Sequence, residues 1–199
     1  MSGNFPTSPE AASINIKSFS PTFVSTAHSL KEQRRRRGGH RWMLEINFPP
    51  MTRSEFAPIY AFAVKQRGQY ETFSYYPPTV SSPQGTATGT PLVNGAQSAG
   101  DNTIVTDGWS NSITCLKAGD FIKFANHSKV YMVVADATSD GSGNSTLTIE
   151  PPLTSSVADD EAVTVSNVPF TVRFSDDMAE FDGGAPNIFQ FKMSLLEVL

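Results

Sequence analysis

The stretch HRWMLEINF, residues 40–48, constrains the fold more than any other part of the chain. Trp42, Leu44, Ile46 and Phe48 recur at period two, with Met43, Glu45 and Asn47 between them. Successive side chains of a strand point to opposite faces. The pattern therefore predicts a strand with one face in a core and the other wet or shared with a partner. Before it, VSTAHSLKEQRRRR reads as a polar strand, and Gly38–Gly39 as the hairpin turn that sends the chain back through Trp42. INIKSFSPTF, residues 14–23, also alternates and predicts a first strand, with Pro21 marking an irregularity or an edge.

PPMT then breaks the strand, and Thr52 or Ser54 can cap a helix beginning there, with Glu55 placed where a helix dipole favours an acid. Phe56, Ile59, Tyr60, Ala63 and Val64 form an apolar stripe at helical spacing, so a helix is expected over about 54–67. Pro58 is tolerable in the first turn and Gly68 supplies the stop. YETFSYYPP comes next as a strand, with Tyr70, Thr72, Ser74 and Tyr76 on one side and Phe73 and Tyr75 on the other. The expected core of this part is Trp42, Leu44, Ile46, Phe48, Phe56, Ile59, Tyr60 and Phe73.

Residues 79–100 are rich in Gly, Ser, Thr, Pro and Ala and almost free of charge, which reads as a linker or long loop. Beyond it, short alternating runs separated by turns such as SDGSGN and ADDE predict an all-β module over 101–168. PFTVRFSDD and NIFQFKMSLLEVL predict two closing strands joined by a Gly/Pro-containing loop. The division expected is therefore a flexible lead-in at 1–13, a domain built from 14–78 plus 169–199, the linker, and an inserted module. Fourteen Gly and fourteen Pro in 199 residues favour short strands and turns over long helices. The fold class expected is mainly β with one α-helix, plus an inserted small all-β, barrel-like module. Cys115 is the only cysteine, so no intrachain disulfide staples the fold, and its alternating setting reads as a small buried side chain. No segment approaches the roughly 18–20 apolar residues of a membrane span. The N-terminal residues show no secretory signal, and the chain reads as soluble and made inside a cell.

Catalytic chemistry finds little support. His28, His40 and His127 are far apart and fit no metal-ligand spacing, so no metal or cofactor is expected. No phosphate loop, dinucleotide fingerprint, nucleophile elbow or zincin motif is present. SDGSGN lacks the closing Glu of a calcium loop and reads as a hairpin turn. SDDMAEFDGG gathers Asp176, Asp177, Glu180 and Asp182, best read as a solvated or partner-facing acidic loop. The expectation is a protein that is not an enzyme. Charge is uneven: residues 1–100 carry ten Lys/Arg against five Asp/Glu, and residues 101–199 carry five against fourteen. Such a dipole suits self-association. Arg34, Arg35, Arg36 and Arg37, with Arg41 nearby, allow three readings: a phosphate-binding arm, a solvated strand end, or a protein interface. An interface would pair guanidinium groups with carboxylates, for which Asp176, Asp177, Glu180 and Asp182 are the candidates.

The run RRRRGGHRWMLEINFPPMTRSEFAPIYAFAVKQRGQYETFSYYPP has a definite order of parts. A basic, Gly-containing turn precedes an aromatic at the head of a core strand, then come a Pro-broken turn, a helix opening on T-x-S-E, a Gly stop and a further strand. This order resembles the N-terminal half of the phage minor-tail and distal-tail protein families. The resemblance covers residues 14–78 in detail. It implies a β-sandwich or split barrel of the tail-tube-like type. It further implies a virion structural protein forming a ring, usually hexameric, at the distal end of the tail tube or the baseplate. Such a ring joins the tube to a hub or tip and leaves a channel through which DNA passes without specific binding. The implied partners are further copies of the chain, the tail tube, and hub or tip proteins, with no membrane. The implied location is the virion tail after synthesis in the host cytoplasm. Alternatives are a carbohydrate- or receptor-contacting β module, for which Trp109 and Tyr131 are the aromatic candidates, and a tail-tube or head–tail connector component elsewhere in the virion.

Overall fold

A computed structural model describes residues 3–184 and 187–199. The strands in chain order are β1 (Ser13–Phe19), β2 (Thr22–Thr26), β3 (Glu32–Arg36), β4 (Arg41–Asn47), β5 (Phe73–Tyr75), β6 (Gly89–Val93), β7 (Thr103–Trp109) and β8 (Thr114–Leu116). They continue with β9 (Phe121–Phe124), β10 (Tyr131–Val133), β11 (Ala137–Thr138), β12 (Ser145–Glu150), β13 (Val163–Thr164), β14 (Phe170–Phe174), β15 (Phe181–Gly184) and β16 (Ile188–Glu197). The one α-helix among the described residues is α1 (Arg53–Lys65). It is far too short to cross a membrane. The chain divides into two compact units, residues 6–72 with 172–199, and residues 3–5 with 73–171. The fold is thus mostly β with a single helix.

In the first unit β4 is paired antiparallel on both sides, by β1 with Ile16 opposite Leu44 and by β16 with Leu195 opposite Leu44. Its inward residues Trp42, Leu44 and Ile46 are buried, and Phe48 just beyond is buried too. β14 follows on the far side of β16, with Arg173 opposite Leu196. Helix α1 buries Phe56, Ile59 and Ala63, while Tyr60 is half-buried and Val64 lies outside the stripe, exposed. Phe56 anchors the helix to the closing hairpin. Its ring stacks on Phe189 at 4.9 Å with the planes 3° apart, and Phe181 packs against it at 4.9 Å. β15, unforeseen in the sequence, forms the first strand of that hairpin, with Phe181 opposite Phe191. Ala185 and Pro186 of the expected Gly/Pro loop lie outside the described residues.

The course of the arginine strand differs from expectation. β3 pairs with β2, and β4 pairs with β1 and β16 but not with β3. Gly38–Gly39 is therefore not a hairpin turn. One long hairpin runs from the β1–β4 ladder into the β2–β3 ribbon, and at the junction Ser20 and Pro21 on one side face residues 37–40 on the other. Its tip is at residues 27–31, where the Ala27 N–H donates to Lys31 O and Leu30 takes a φ of 62°. The reason is burial. A turn at Gly38 would set polar β3 against the core strand, whereas β1 and β16 offer β4 apolar residues in register. The turn at the tip has no Gly, Pro, Asn or Asp; Ser29 is its one turn-favouring residue, and a leucine holds the left-handed position.

In the second unit six strands follow the order β13-β9-β10-β12-β7-β6. The sheet nearly closes on itself, because the Val93 N–H donates to Glu161 O at 3.0 Å and the Asp160 N–H to Val93 O at 2.9 Å, beside β13. Val93, Ile104, Leu116, Phe124, Val133 and Leu147 fill the interior with Cys115. The stretch 79–100 is not simply a linker, since β6 lies within it and Val93 is fully buried. Its sparse side chains hide the strand. A Cβ at Gly89, whose φ is +117°, would stand 2.2 Å from the carbonyl oxygen of Gly108, so the absence of a side chain there permits the β6–β7 approach. The start of the lead-in is also held, with Phe5 buried against Phe73 and its N–H donating to Ser74 O. Phe73 is fully buried in this unit, and β5 is confined to three buried residues.

Two side chains give direct checks on this fold. Glu197 is fully buried, and its Oε2 accepts the Trp42 N–H at 3.0 Å, extending the β4–β16 contact to the base of the long hairpin. Glu197→Ala removes that acceptor and should cost about 1–3 kcal/mol. The readouts are a lower urea midpoint and faster hydrogen exchange at the Trp42 amide; an unchanged exchange rate would show that the bond contributes nothing. Glu55 accepts from the Thr52 N–H at 2.9 Å and from the Thr52 hydroxyl at 2.8 Å, and these bonds, the backbone one foremost, hold its carboxyl below the usual range. A depressed folded value gives stability that is present above the unfolded value and lost as pH falls through the folded one. Glu55→Gln should therefore lower the urea midpoint near neutrality, and the gap from wild type should close on acidification through the carboxylate range.

Candidate subunit interface

Every residue of β2 and β3 is exposed. Directly opposite residues of an antiparallel pair share a face. Phe23 lies opposite Arg35 and Ser25 opposite Gln33, which makes one face. Val24 lies opposite Arg34 and Thr22 opposite Arg36, which makes the other. The charges on the two faces are handled differently. Arg34 Nε donates to Glu32 Oε2 at 2.8 Å, a bond within its own strand. Among the described residues no carboxylate pairs with Arg35 or Arg37. Arg37 lies past the end of β3, its N–H donating to Pro21 O. Arg41 belongs to β4, opposite Phe19 and away from the ribbon. The five arginines do not form one patch. Apolar side chains accompany them, with Phe23 57% and Leu30 83% exposed.

The acidic loop between β14 and β15 is likewise divided in its tasks. Asp176 Oδ1 accepts the Asp177 N–H at 2.7 Å, and Asp177 Oδ1 accepts the Gln69 N–H at 3.1 Å. Gly68 makes room for this: a Cβ there would stand 2.8 Å from Asp177 Oδ1. The Tyr60 hydroxyl donates to Ala179 O at 3.3 Å, which ties the loop to α1. Glu180 is exposed, as is Asp182 on β15, and Met178 between the acids is 75% exposed. Beside the loop lies a groove of about 270 Å³, with Phe174, Met178 and Phe191 among its apolar lining and Asp176, Glu180 and Lys192 among its charged lining.

Other residues singled out in the sequence are accounted for by packing. Trp109 is buried, its Nε1–H donating to Thr106 Oγ1 at 2.9 Å, so its ring offers no stacking platform. Tyr131 is fully buried and bonds His127 Nδ1 at 2.9 Å, while His127 Nε2 reaches Ser155 Oγ at 3.0 Å. That chain of three side chains pins the segment after β12 and is not visible in the sequence, because Ser155 lies far from the stretch that holds His127 and Tyr131. His40 sits at the base of the long hairpin, bonded to Ser18 Oγ at 2.8 Å. In SDGSGN the Asp140 carboxylate accepts from the Asn144 side chain and from the Ser142 and Asn144 N–H groups, which lowers its pKa and makes the segment a turn. Among the described residues no group of three His, Cys, Asp or Glu is placed to hold a metal ion.

Residues 79–168 match the family described as the distal tail protein pb9, B domain. The matched segment coincides with the barrel and includes β6. No curated protein matches the chain. The likeness read in the sequence rests on residues 14–78, and the match falls on the other unit. Over the matched segment the chain is similar to a domain of a phage distal tail protein, which supports a structural role in a phage tail.

Proposed function

We propose that the chain forms a ring at the distal end of a phage tail or in its baseplate, joins the tail tube to a hub or tip, and leaves a channel for DNA. The observation that carries this reading is the β2–β3 ribbon. An isolated two-stranded hairpin is marginal in water, and one with both faces and both edges exposed invites further pairing. Its fifteen residues from Thr22 to Arg36 carry exposed Phe23, Val24 and Leu30, a composition costly to leave in solvent. A neighbouring copy would cover the ribbon, and repetition of a head-to-tail contact around an axis closes a ring that leaves no edge open. The resemblance of residues 14–78 to tail proteins supplies the expectation of six subunits. The part played is one of geometry and assembly, without a catalytic step.

The check is to replace residues 22–36 with a two-residue Asn-Gly turn. The ribbon contributes no buried side chain, so the circular dichroism and melting temperature should change little. Light scattering should show an oligomer for the wild type at tens of micromolar and a monomer for the shortened chain. An oligomer that survives the replacement would remove the ribbon from the ring contact. A wild type that is monomeric in solution and absent from purified tails would remove the ring itself.

A further inference from the structure

We propose that the Phe23–Arg35 face of the β2–β3 ribbon seats in the groove beside the acidic β14–β15 loop of the next copy. This inference rests on the ring reading and names the two surfaces that meet. Three observations converge on it. The first is charge complementarity at matched scale. Arg35 has no carboxylate partner among the described residues, and Arg34 on the opposite face has Glu32, so the ribbon has one satisfied face and one unsatisfied face. Glu180 stands on the rim of the groove and makes no ion pair among the described residues.

The second is the mixed character of both surfaces. Phe23 and Arg35 lie directly opposite each other, so an aromatic ring and a guanidinium project together. The groove offers the counterpart, with exposed Met178 beside the Asp176 and Glu180 carboxylates over a floor that includes the buried rings of Phe174 and Phe191. Lys192 also lines it and opposes a second cation, so the groove accepts one arginine rather than a polycation. Arg is suited to such a place because its planar group pairs with carboxylates while its stem and face pack on apolar surface. The third is that the groove is preformed. Asp177 is bonded to Gln69 and Ala179 to Tyr60, so the loop needs no ordering when a partner arrives. Ribbon and groove are different surfaces of one chain, and their contact is heterologous, as a closing ring requires.

The experiment is a charge exchange read by sedimentation and light scattering of the full chain. Arg35→Glu and Glu180→Lys should each weaken assembly, raising the midpoint concentration about tenfold or more, as expected for a desolvated charge pair. Neither residue is buried, so the melting temperatures should stay within a few degrees of wild type. The double variant, or an equimolar mixture of the two single variants, should recover assembly. Phe23→Ser should weaken assembly with no rescue by Glu180→Lys. A wild-type oligomer indifferent to both single charge reversals overturns the pairing and leaves the ring standing. Weakening by each reversal without recovery in the double variant also overturns it, and assigns Arg35 to another partner, which binding to DNA or to a tail-tube protein would then identify. A wild type that does not assemble overturns the ring reading itself.

Discussion

The double pairing of β4 is the constraint on which the unit built from both chain ends depends. β1 flanks it from the N-terminal side and β16 from the C-terminal end, so the central ladder joins residues about 150 positions apart in sequence. The inward row Trp42, Leu44 and Ile46 is buried, with a paired strand on each side of β4. Glu197 extends the same seam to the Trp42 amide. With both sides of β4 occupied, the polar residues of β3 cannot pair with it, and they continue outward as a ribbon paired to β2. The exposed arm thus follows from the satisfaction of the core strand.

That dependence also explains what could and could not be read from the sequence. The strand at 41–47, the helix and its start, and most barrel strands are encoded by short-range periodicity. The partner of β4 is encoded by which distant segments have apolar residues in register, and the Gly38–Gly39 signal, although a strong local turn marker, decided nothing against them. β6 is hidden in the sequence for the opposite reason. Gly89, Thr90 and Pro91 carry no strand signature, and the strand exists because β7 and the segment before β13 supply hydrogen-bond partners on its two sides. β15 is short and includes Gly183 and Gly184, and it is held by the packing of Phe181 on α1.

The acidic cluster shows the same limit at the level of a site. Four carboxylates within seven residues suggest one patch, yet Asp176 and Asp177 are occupied in holding the loop to itself and to the turn after α1. Glu180 is left at the groove and Asp182 on the strand. Composition alone gave the sign of the surface, and only the backbone path determined which charges were available. The arginine run divides similarly between a face with an internal acid and a face without one.

The overall charge dipole takes on a more definite meaning once it is placed on the two units. The unit containing the barrel carries three Lys/Arg against nine Asp/Glu, and the unit containing the ribbon carries twelve against ten. The acidic surplus of the chain therefore resides mainly in the barrel, while the ribbon's own unit is close to balanced. For a run of arginines meant to hold a polyanion, a balanced unit and an alternation of faces are poor conditions, because phosphate affinity grows with the number of cations presented together. For a contact that must recur identically in every subunit, one or two directed charges beside an apolar anchor are better matched. They fix register and reject misaligned copies, and the net charge added to the interface stays small.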